Sequence, residues 1–222
     1  MGFKCGIIGL PNVGKSTLFN ALTRSSIEAE NYPFCTIEPH VGIVAVPDSR
    51  LQELADIVVP EKIIPAHMEF VDIAGLVAGA SKGEGLGNKF LANIREMQAI
   101  IQVVRCFDDD NIVHVSGKID PISDIEIINT ELCLADLEIV NNALNKANKL
   151  NRSGNKNVKK EVETLQKLAT HLDQGLSVRT MNMLGLDHTT IKSLSLLTQK
   201  PILYIANIEE NGFNKNPWLE KI

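Results

Sequence analysis

Eight residues near the amino terminus have the types and spacing of a phosphate-binding loop. Their sequence, Gly9-Leu10-Pro11-Asn12-Val13-Gly14-Lys15-Ser16, fits the pattern G-x-x-x-x-G-K-[ST] between an apolar run and a helical pattern. The glycines let backbone N–H groups surround a phosphate chain at the positive end of the helix. Lys15 would then neutralise the β and γ phosphates, and the Ser16 hydroxyl would bind Mg²⁺. The residues expected to contact nucleotide here are Asn12, Val13, Gly14, Lys15, Ser16 and Thr17.

Two further segments could complete a magnesium and γ-phosphate site. Asp72-Ile73-Ala74-Gly75 follows an apolar strand pattern, so Asp72 is predicted to hold Mg²⁺ and the Gly75 N–H to sense the γ-phosphate. Thr36, in a loop between the two motifs, could complete the Mg²⁺ sphere, or it could be a solvated loop residue. The predicted metal ligands are therefore Ser16, Thr36 and Asp72.

The segment Asn207-Ile208-Glu209-Glu210 stands where a nucleotide-binding domain of this type reads its base. Guanine is normally read by N-K-x-D, and here Ile208 replaces the lysine while Glu210 replaces the aspartate. Adenine presents a donor and an acceptor in the reverse arrangement, so loss of the guanine clamp removes discrimination against it. We therefore predict that Asn207, Ile208 and Glu210 contact the base and that ATP is favoured over GTP.

The residue after D-x-x-G is Leu76, where Ras-type switches carry a water-orienting glutamine. Slow intrinsic hydrolysis is expected, with Lys15, Thr36 and Gly75 contributing to it.

Asn12 could help to bind a monovalent cation such as K⁺, or it could stabilise the turn. His114 could orient water, or it could be a surface histidine. The run Gly79, Gly83, Gly85 and Gly87 is predicted to order around the γ-phosphate.

Taken together, these motifs resemble the YchF family of Obg-like ATPases, in the TRAFAC class of P-loop NTPases. The resemblance rests on Gly9 to Thr17, on Asn31 to Thr36, on Asp72 to Leu76 with Gly83 to Asn88, and on Asn207 to Glu210. It covers essentially the whole chain. It implies a Mg²⁺-dependent ATPase switch that associates with ribosomes, and a carboxyl-terminal TGS domain in full-length members, which is absent from this chain.

The order of patterns predicts an α/β G domain with a mostly parallel sheet and an inserted antiparallel helical hairpin. We expect residues 1–118 to form the first part of the G domain, 119–198 the helical insertion, and 199–222 a truncated second part. Because the sequence ends early in that second part, Trp218 and the residues after it are expected to be weakly anchored. Within the insertion, apolar residues recur every three or four positions, and we expect the two stripes to pack against each other. The first stripe is Ile125, Ile128, Leu132, Ala135 and Ile139, and the second is Val158, Val162, Leu165, Ala169 and Leu172.

Charge and composition bear on partners and on location. The 222 residues carry a net charge of −5, which argues against a wholly basic nucleic-acid coat, and no DNA contact is specifically predicted. Residues 145–167 include seven basic side chains and two acidic ones. The basic side chains could contact RNA phosphates or be solvated. Four scattered cysteines and the lack of an apolar run of about 20 residues predict a cytoplasmic protein without membrane contact.

Three rival functions stay open. A GTPase could tolerate Glu210 in place of aspartate, and a binding module could hold nucleotide without cleaving it, since Leu76 cannot orient water. A small-molecule kinase is the third rival, although the sequence shows no arginine cluster suited to its lid.

Overall fold

The architecture is a sheet with helices, and a long helical segment lies between its last two strands. The computed structural model describes residues 2–24, 40–73, 86–109, 112, 118–150, 156–213 and 216–222. In these ranges the sheet has five strands in the order β2-β3-β1-β4-β5. The strands are β1 (Phe3–Ile8), β2 (Val41–Ala45), β3 (His67–Asp72), β4 (Ala99–Arg105) and β5 (Ile202–Asn207).

The strands other than β2 run parallel to one another, and β2 pairs antiparallel with β3. β1 and β4 lie in the middle of the sheet and are buried over most of their length, which is why they read as continuous apolar runs rather than as alternating patterns. The carboxyl ends of the four parallel strands meet at one edge of the sheet, the edge at which α/β proteins bind ligands. The phosphate-loop motif, Asp72 and Asn207 are thereby brought to the same edge.

Six α-helices accompany the sheet in the described ranges. They are α1 (Lys15–Arg24), α2 (Ser49–Val58), α3 (Leu86–Glu96), α4 (Pro121–Leu150), α5 (Lys156–Asp173) and α6 (His188–Ser193). The core beneath the sheet contains Ile7, Ile8, Phe90, Ile94 and other apolar side chains of β1, β4, α1 and α3. No described helix combines the length and the apolar character that a bilayer crossing requires.

The inserted hairpin consists of α4 and α5, which pack against each other along a second apolar core. All five residues predicted for the α5 stripe belong to this core or pack against it, which confirms that stripe. The α4 stripe behaves differently. Ile128, Leu132 and Ala135 pack into the core under the sheet, so the expectation that they face the second helix was wrong.

The physical reason is the length of α4, whose 30 residues extend over about 45 Å. Its first half lies against the sheet, and its second half lies against α5. Leu132 belongs to the sheet core, whereas the next residue, Cys133, belongs to the hairpin core. One helix therefore joins the two cores.

The end of the chain is held more firmly than expected. The Asn216 side chain is buried, donates to the Cys106 carbonyl at 2.9 Å, and accepts from the backbone N–H groups of Trp218 and Leu219. The expectation of weak anchoring at Trp218 was therefore wrong, because one asparagine ties this segment to the end of β4.

Candidate nucleotide-binding site

A cleft of about 390 Å³ opens at the carboxyl edge of the sheet, beside the amino-terminal end of α1. Its lining is Asn12, Gly14, Lys15, Ser16, Thr17, Phe107, Ile112 and Asn207. Six of these eight residues were predicted from sequence to contact nucleotide. The structure therefore brings the phosphate loop and the first residue of the base-reading segment together on one surface.

The phosphate loop owes its shape to residues with unusual backbone angles. Gly14 has a φ of 97° and Asn12 a φ of 63°, values that glycine adopts freely and asparagine tolerates. A side chain at Gly14 would also collide with the amide nitrogen of Asn207. The loop can thus pass close beside the end of β5 only because a glycine stands at that position.

Lys15 is 8% exposed, and its Nζ donates to the Leu10 carbonyl at 2.8 Å, so the side chain folds back across the loop. Burial lowers the pKa of Lys15, and the negative charge of Asp72 acts in the opposite direction. An ammonium with only part of its hydration shell is well placed to interact with an anion that enters the cleft.

Ser16 and Asp72 meet across the gap between α1 and β3. The Ser16 hydroxyl donates to Asp72 Oδ2 at 2.8 Å. The other carboxylate oxygen, Oδ1, is buried and accepts no hydrogen bond from the residues that the structure describes. A buried carboxylate oxygen without a donor is costly unless something cationic occupies its place, and hydroxyl and carboxylate oxygens are the ligands that Mg²⁺ prefers. This pair therefore fits the magnesium site that P-loop proteins carry.

Asn207 holds the phosphate loop against the end of β5. Its Nδ2 donates to the Val13 carbonyl at 3.0 Å, and its own carbonyl accepts from Cys106 N–H at 2.7 Å. The residue thus bridges the loop after β1, the end of β4 and the end of β5. Its side-chain amide acts on the loop itself, a role that the sequence reasoning, which assigned Asn207 to the base, had not included.

Phe107 and Ile112 form an apolar wall of the cleft, and sequence reasoning missed both. Both follow β4, whose carboxyl end lies beside that of β1. Residues just beyond a parallel strand are where α/β proteins place ligand contacts, so an aromatic residue two positions after the strand was the signal that could have identified Phe107.

The remaining predicted residues divide into two groups. Val13 is buried in the core beneath the loop, so only its backbone could face a ligand. Ile208 is half-buried and Glu210 is exposed, and neither lines the cleft. The predictions for Thr36, Gly75 and His114, and for the glycine run from Gly79 to Gly85, lie outside the described residues.

A phosphate loop between β1 and α1, a serine–aspartate pair beside it and an asparagine at the end of β5 define a P-loop NTPase of the G-domain class. The family model described as 50S ribosome-binding GTPase matches residues 4–207. Over its full length the chain is 59% identical to the ribosome-binding ATPase YchF of Haemophilus influenzae, of which it covers 61%. It is 54% identical to the Bacillus subtilis protein of the same name over 211 residues, which are 95% of this chain and 58% of that protein.

Among solved structures, the YchF GTPase of Schizosaccharomyces pombe superposes with a TM-score of 0.83 at 42% identity. The match covers 99% of this chain and 61% of that one. The chain belongs to the YchF family of P-loop NTPases, as its motifs indicated. It spans about three fifths of the length of the relatives it matches.

Proposed function

We propose that this chain is the nucleotide-binding part of an ATP-hydrolysing molecular switch. The observation that carries the proposal is the arrangement at the cleft, where Lys15, Ser16 and Asp72 stand beside a loop of the phosphate-binding pattern. The curated relatives from Haemophilus influenzae and Bacillus subtilis are both named ATPases, which supports the same activity.

In this proposal the triphosphate lies along the loop of residues 12–17 at the amino end of α1. Lys15 exchanges its hydrogen bond to Leu10 for the β and γ phosphates. Ser16 and Asp72, with Thr36, hold Mg²⁺, which neutralises charge on the phosphate oxygens when it is bound. Gly75 contributes its N–H to the γ-phosphate, and Asn12 is the candidate for a K⁺ contact.

The apolar wall of Phe107 and Ile112 suits a nucleobase, because aromatic and aliphatic surfaces accept the flat face of any base. Choice between bases would then fall to Asn207, which lines the cleft, and to Ile208 and Glu210, which do not line it but follow Asn207 directly beyond the end of β5. Without the lysine and aspartate of the guanine clamp, adenine is no longer excluded, so ATP is the proposed substrate and GTP the alternative.

Competition of ATP and GTP against a fluorescent nucleotide, in Mg²⁺ and K⁺, tests this substrate. We expect ATP to bind more tightly by about tenfold, which corresponds to about 1.4 kcal/mol. The variant Ile208→Lys, Glu210→Asp should shift the preference towards GTP, whereas Glu209→Asp, a change at the exposed neighbour, should not. Tighter binding of GTP by the unaltered protein would mean a GTPase with an unusual base-reading segment.

The activity itself needs a second measurement, because a protein that only binds nucleotide would pass the first. Phosphate release in a single turnover should be slow alone and faster with ribosomes or K⁺, since no glutamine follows D-x-x-G. His114 would be supported as the water-orienting group by a specific loss of this release in His114→Ala. If no phosphate is released under any of these conditions, the protein binds nucleotide without hydrolysing it.

Ribosomes, through ribosomal RNA, are the proposed partner, and the cytoplasm the proposed location. The relatives are named ribosome-binding, and Lys146, Lys149, Lys159 and Lys160 are exposed towards the far end of the hairpin. We place this hairpin in a domain of residues 119–198, between G-domain segments 1–118 and 199–222. Charge reversal of Lys146 and Lys149 should weaken co-sedimentation with ribosomes and flatten its salt dependence. Reversal of Lys62 and Lys221, exposed residues that do not belong to the hairpin, is the control.

A further inference from the structure

Arg105 is a charged side chain enclosed in the interior beside the cleft. It is the last residue of β4 and is 1% exposed. Its guanidinium donates to three backbone carbonyls, from Nε to Phe107 at 3.0 Å, from Nη1 to Ile112 at 2.9 Å and from Nη2 to Asp109 at 3.3 Å. A buried charge is costly unless it is well hydrogen-bonded, so these contacts offset a substantial desolvation penalty.

All three carbonyls belong to the segment that follows β4, and this segment supplies the apolar wall of the cleft. The guanidinium carbon also lies 4.7 Å from the centroid of the Phe107 ring, within the range of a cation–π contact. Arg105 thus holds the backbone at both cleft-lining residues and one of the two side chains. The planar fork of arginine can span separated carbonyls in this way, whereas the single ammonium of lysine cannot.

The wall and the phosphate loop meet different parts of a nucleotide. Residues 12–17 provide the charge and N–H groups that phosphates need, whereas Phe107 and Ile112 have only apolar side chains to offer. A displaced wall would therefore weaken contacts to the base and ribose but leave the phosphate contacts intact.

We propose that Arg105 is a positioning residue that sets the place of the Phe107 and Ile112 wall and so controls affinity for the nucleoside half of the ligand. It does not touch the nucleotide. The proposal rests on the proposed function, because it assumes that the cleft binds a nucleoside triphosphate.

A second arginine in the chain separates this role from simple structural support. Arg179, in the insertion, is half-buried, and it donates to the Lys200 carbonyl at 3.1 Å and to the Ser177 hydroxyl at 3.4 Å. Neither acceptor lines the cleft. Arg179→Lys is therefore the control, because it also removes guanidinium hydrogen bonds but none to a residue that lines the cleft.

The experiment compares Arg105→Lys, Arg179→Lys and the unaltered chain by calorimetric titration with ATP and with inorganic tripolyphosphate, both in Mg²⁺. Arg105→Lys should weaken ATP binding about tenfold and change tripolyphosphate binding by less than about twofold. Arg179→Lys should leave both affinities unchanged, even though urea unfolding shows a loss of stability in both variants.

An equal loss for ATP and tripolyphosphate in Arg105→Lys would overturn the proposal, and so would no loss for either. If Arg105→Lys does not fold, Arg105→Gln takes its place with the same expectation, because it keeps a planar donor and leaves no buried charge. An unaltered chain that binds neither ATP nor GTP would instead refute the proposed function, which is a separate outcome.

Discussion

Asp72 is a half-buried carboxylate and Asp136 a fully buried one, and the two differ in the hydrogen bonds that they accept. Asp72, at the end of β3, accepts one hydrogen bond from Ser16, and its second oxygen is buried with no donor in the described structure. Asp136, in α4, is 0% exposed and accepts three, from the backbone N–H groups of Leu197 and Thr198 and from the Thr198 hydroxyl. Within the described residues, the first carboxylate has one oxygen without a hydrogen bond, whereas both oxygens of the second accept hydrogen bonds.

Under the proposed function, the difference separates a metal-binding role for Asp72 from a structural role for Asp136. Burial raises the pKa of Asp136, and the hydrogen bonds from Leu197 and Thr198 act in the opposite direction, so the donors of the Leu197–Gln199 turn stabilise the ionised carboxylate. It ties α4 to the segment that leads into β5. Among the described residues Asp72 has only the Ser16 hydroxyl as a donor, and its Oδ1 is buried without one, which suits the proposed role in holding a cation.

The largest expected effect is on stability at Asp136. Asp136→Ala leaves three buried donors without an acceptor, and we expect the free energy of unfolding to fall by about 4 kcal/mol. Urea denaturation measures this fall, and Asp173→Ala, at an exposed aspartate of α5, is the control. A similar loss in Asp72→Ala would remove the distinction between the two carboxylates.

A smaller effect, on binding, is expected at Asp72. Asp72→Asn keeps the shape and an acceptor for Ser16 but loses the charge, so ATP affinity in Mg²⁺ should fall about tenfold, or about 1.4 kcal/mol. In EDTA the variant and the unaltered chain should bind ATP equally, and their urea unfolding curves should nearly coincide. Equal losses with and without Mg²⁺ would show that Asp72 acts on the nucleotide or the loop rather than on the metal.

The smallest expected effect sharpens the role of Asp136. Thr198→Val removes the hydroxyl that donates to Asp136 and accepts from Val178 N–H, and this should lower the free energy of unfolding by about 1 kcal/mol. In the Asp136→Ala background the same change should cost less, because the two residues share one network. Strict additivity in urea denaturation would argue that Thr198 acts independently of Asp136.

Much of the fold could be predicted because its signals are local. The phosphate-loop motif, the apolar runs of the central strands and the stripe of α5 each lie within one element. The helix α2 was missed, since it has no buried residue, and Leu54, Ile57 and Val58 are exposed. The divided role of α4 could not be predicted, because periodicity shows that a side chain is buried but not which partner buries it.

Sequence patterns predicted the parts of the site that depend on particular side chains. They did not predict the contacts that depend on backbone carbonyls. Lys15, Ser16 and Asp72 were found from motif spacing, and the structure brings them together. The contribution of Arg105 rests on carbonyl acceptors, which every residue has and which no pattern of side chains reveals. The same holds for Asn207, whose side chain contacts the carbonyl of Val13.

The hydrogen bond from Asn207 to Val13 joins residues 194 positions apart, with the whole insertion between them. During synthesis the phosphate loop is made early and Asn207 late, so the cleft stays incomplete until β5 has reached β4. Contacts between such distant residues form slowly, because the entropy cost of closing a long loop precedes the stabilising contact. Tight nucleotide binding by a growing chain would therefore indicate that the segment containing α4, α5 and α6 has been made and that β5 has paired with β4.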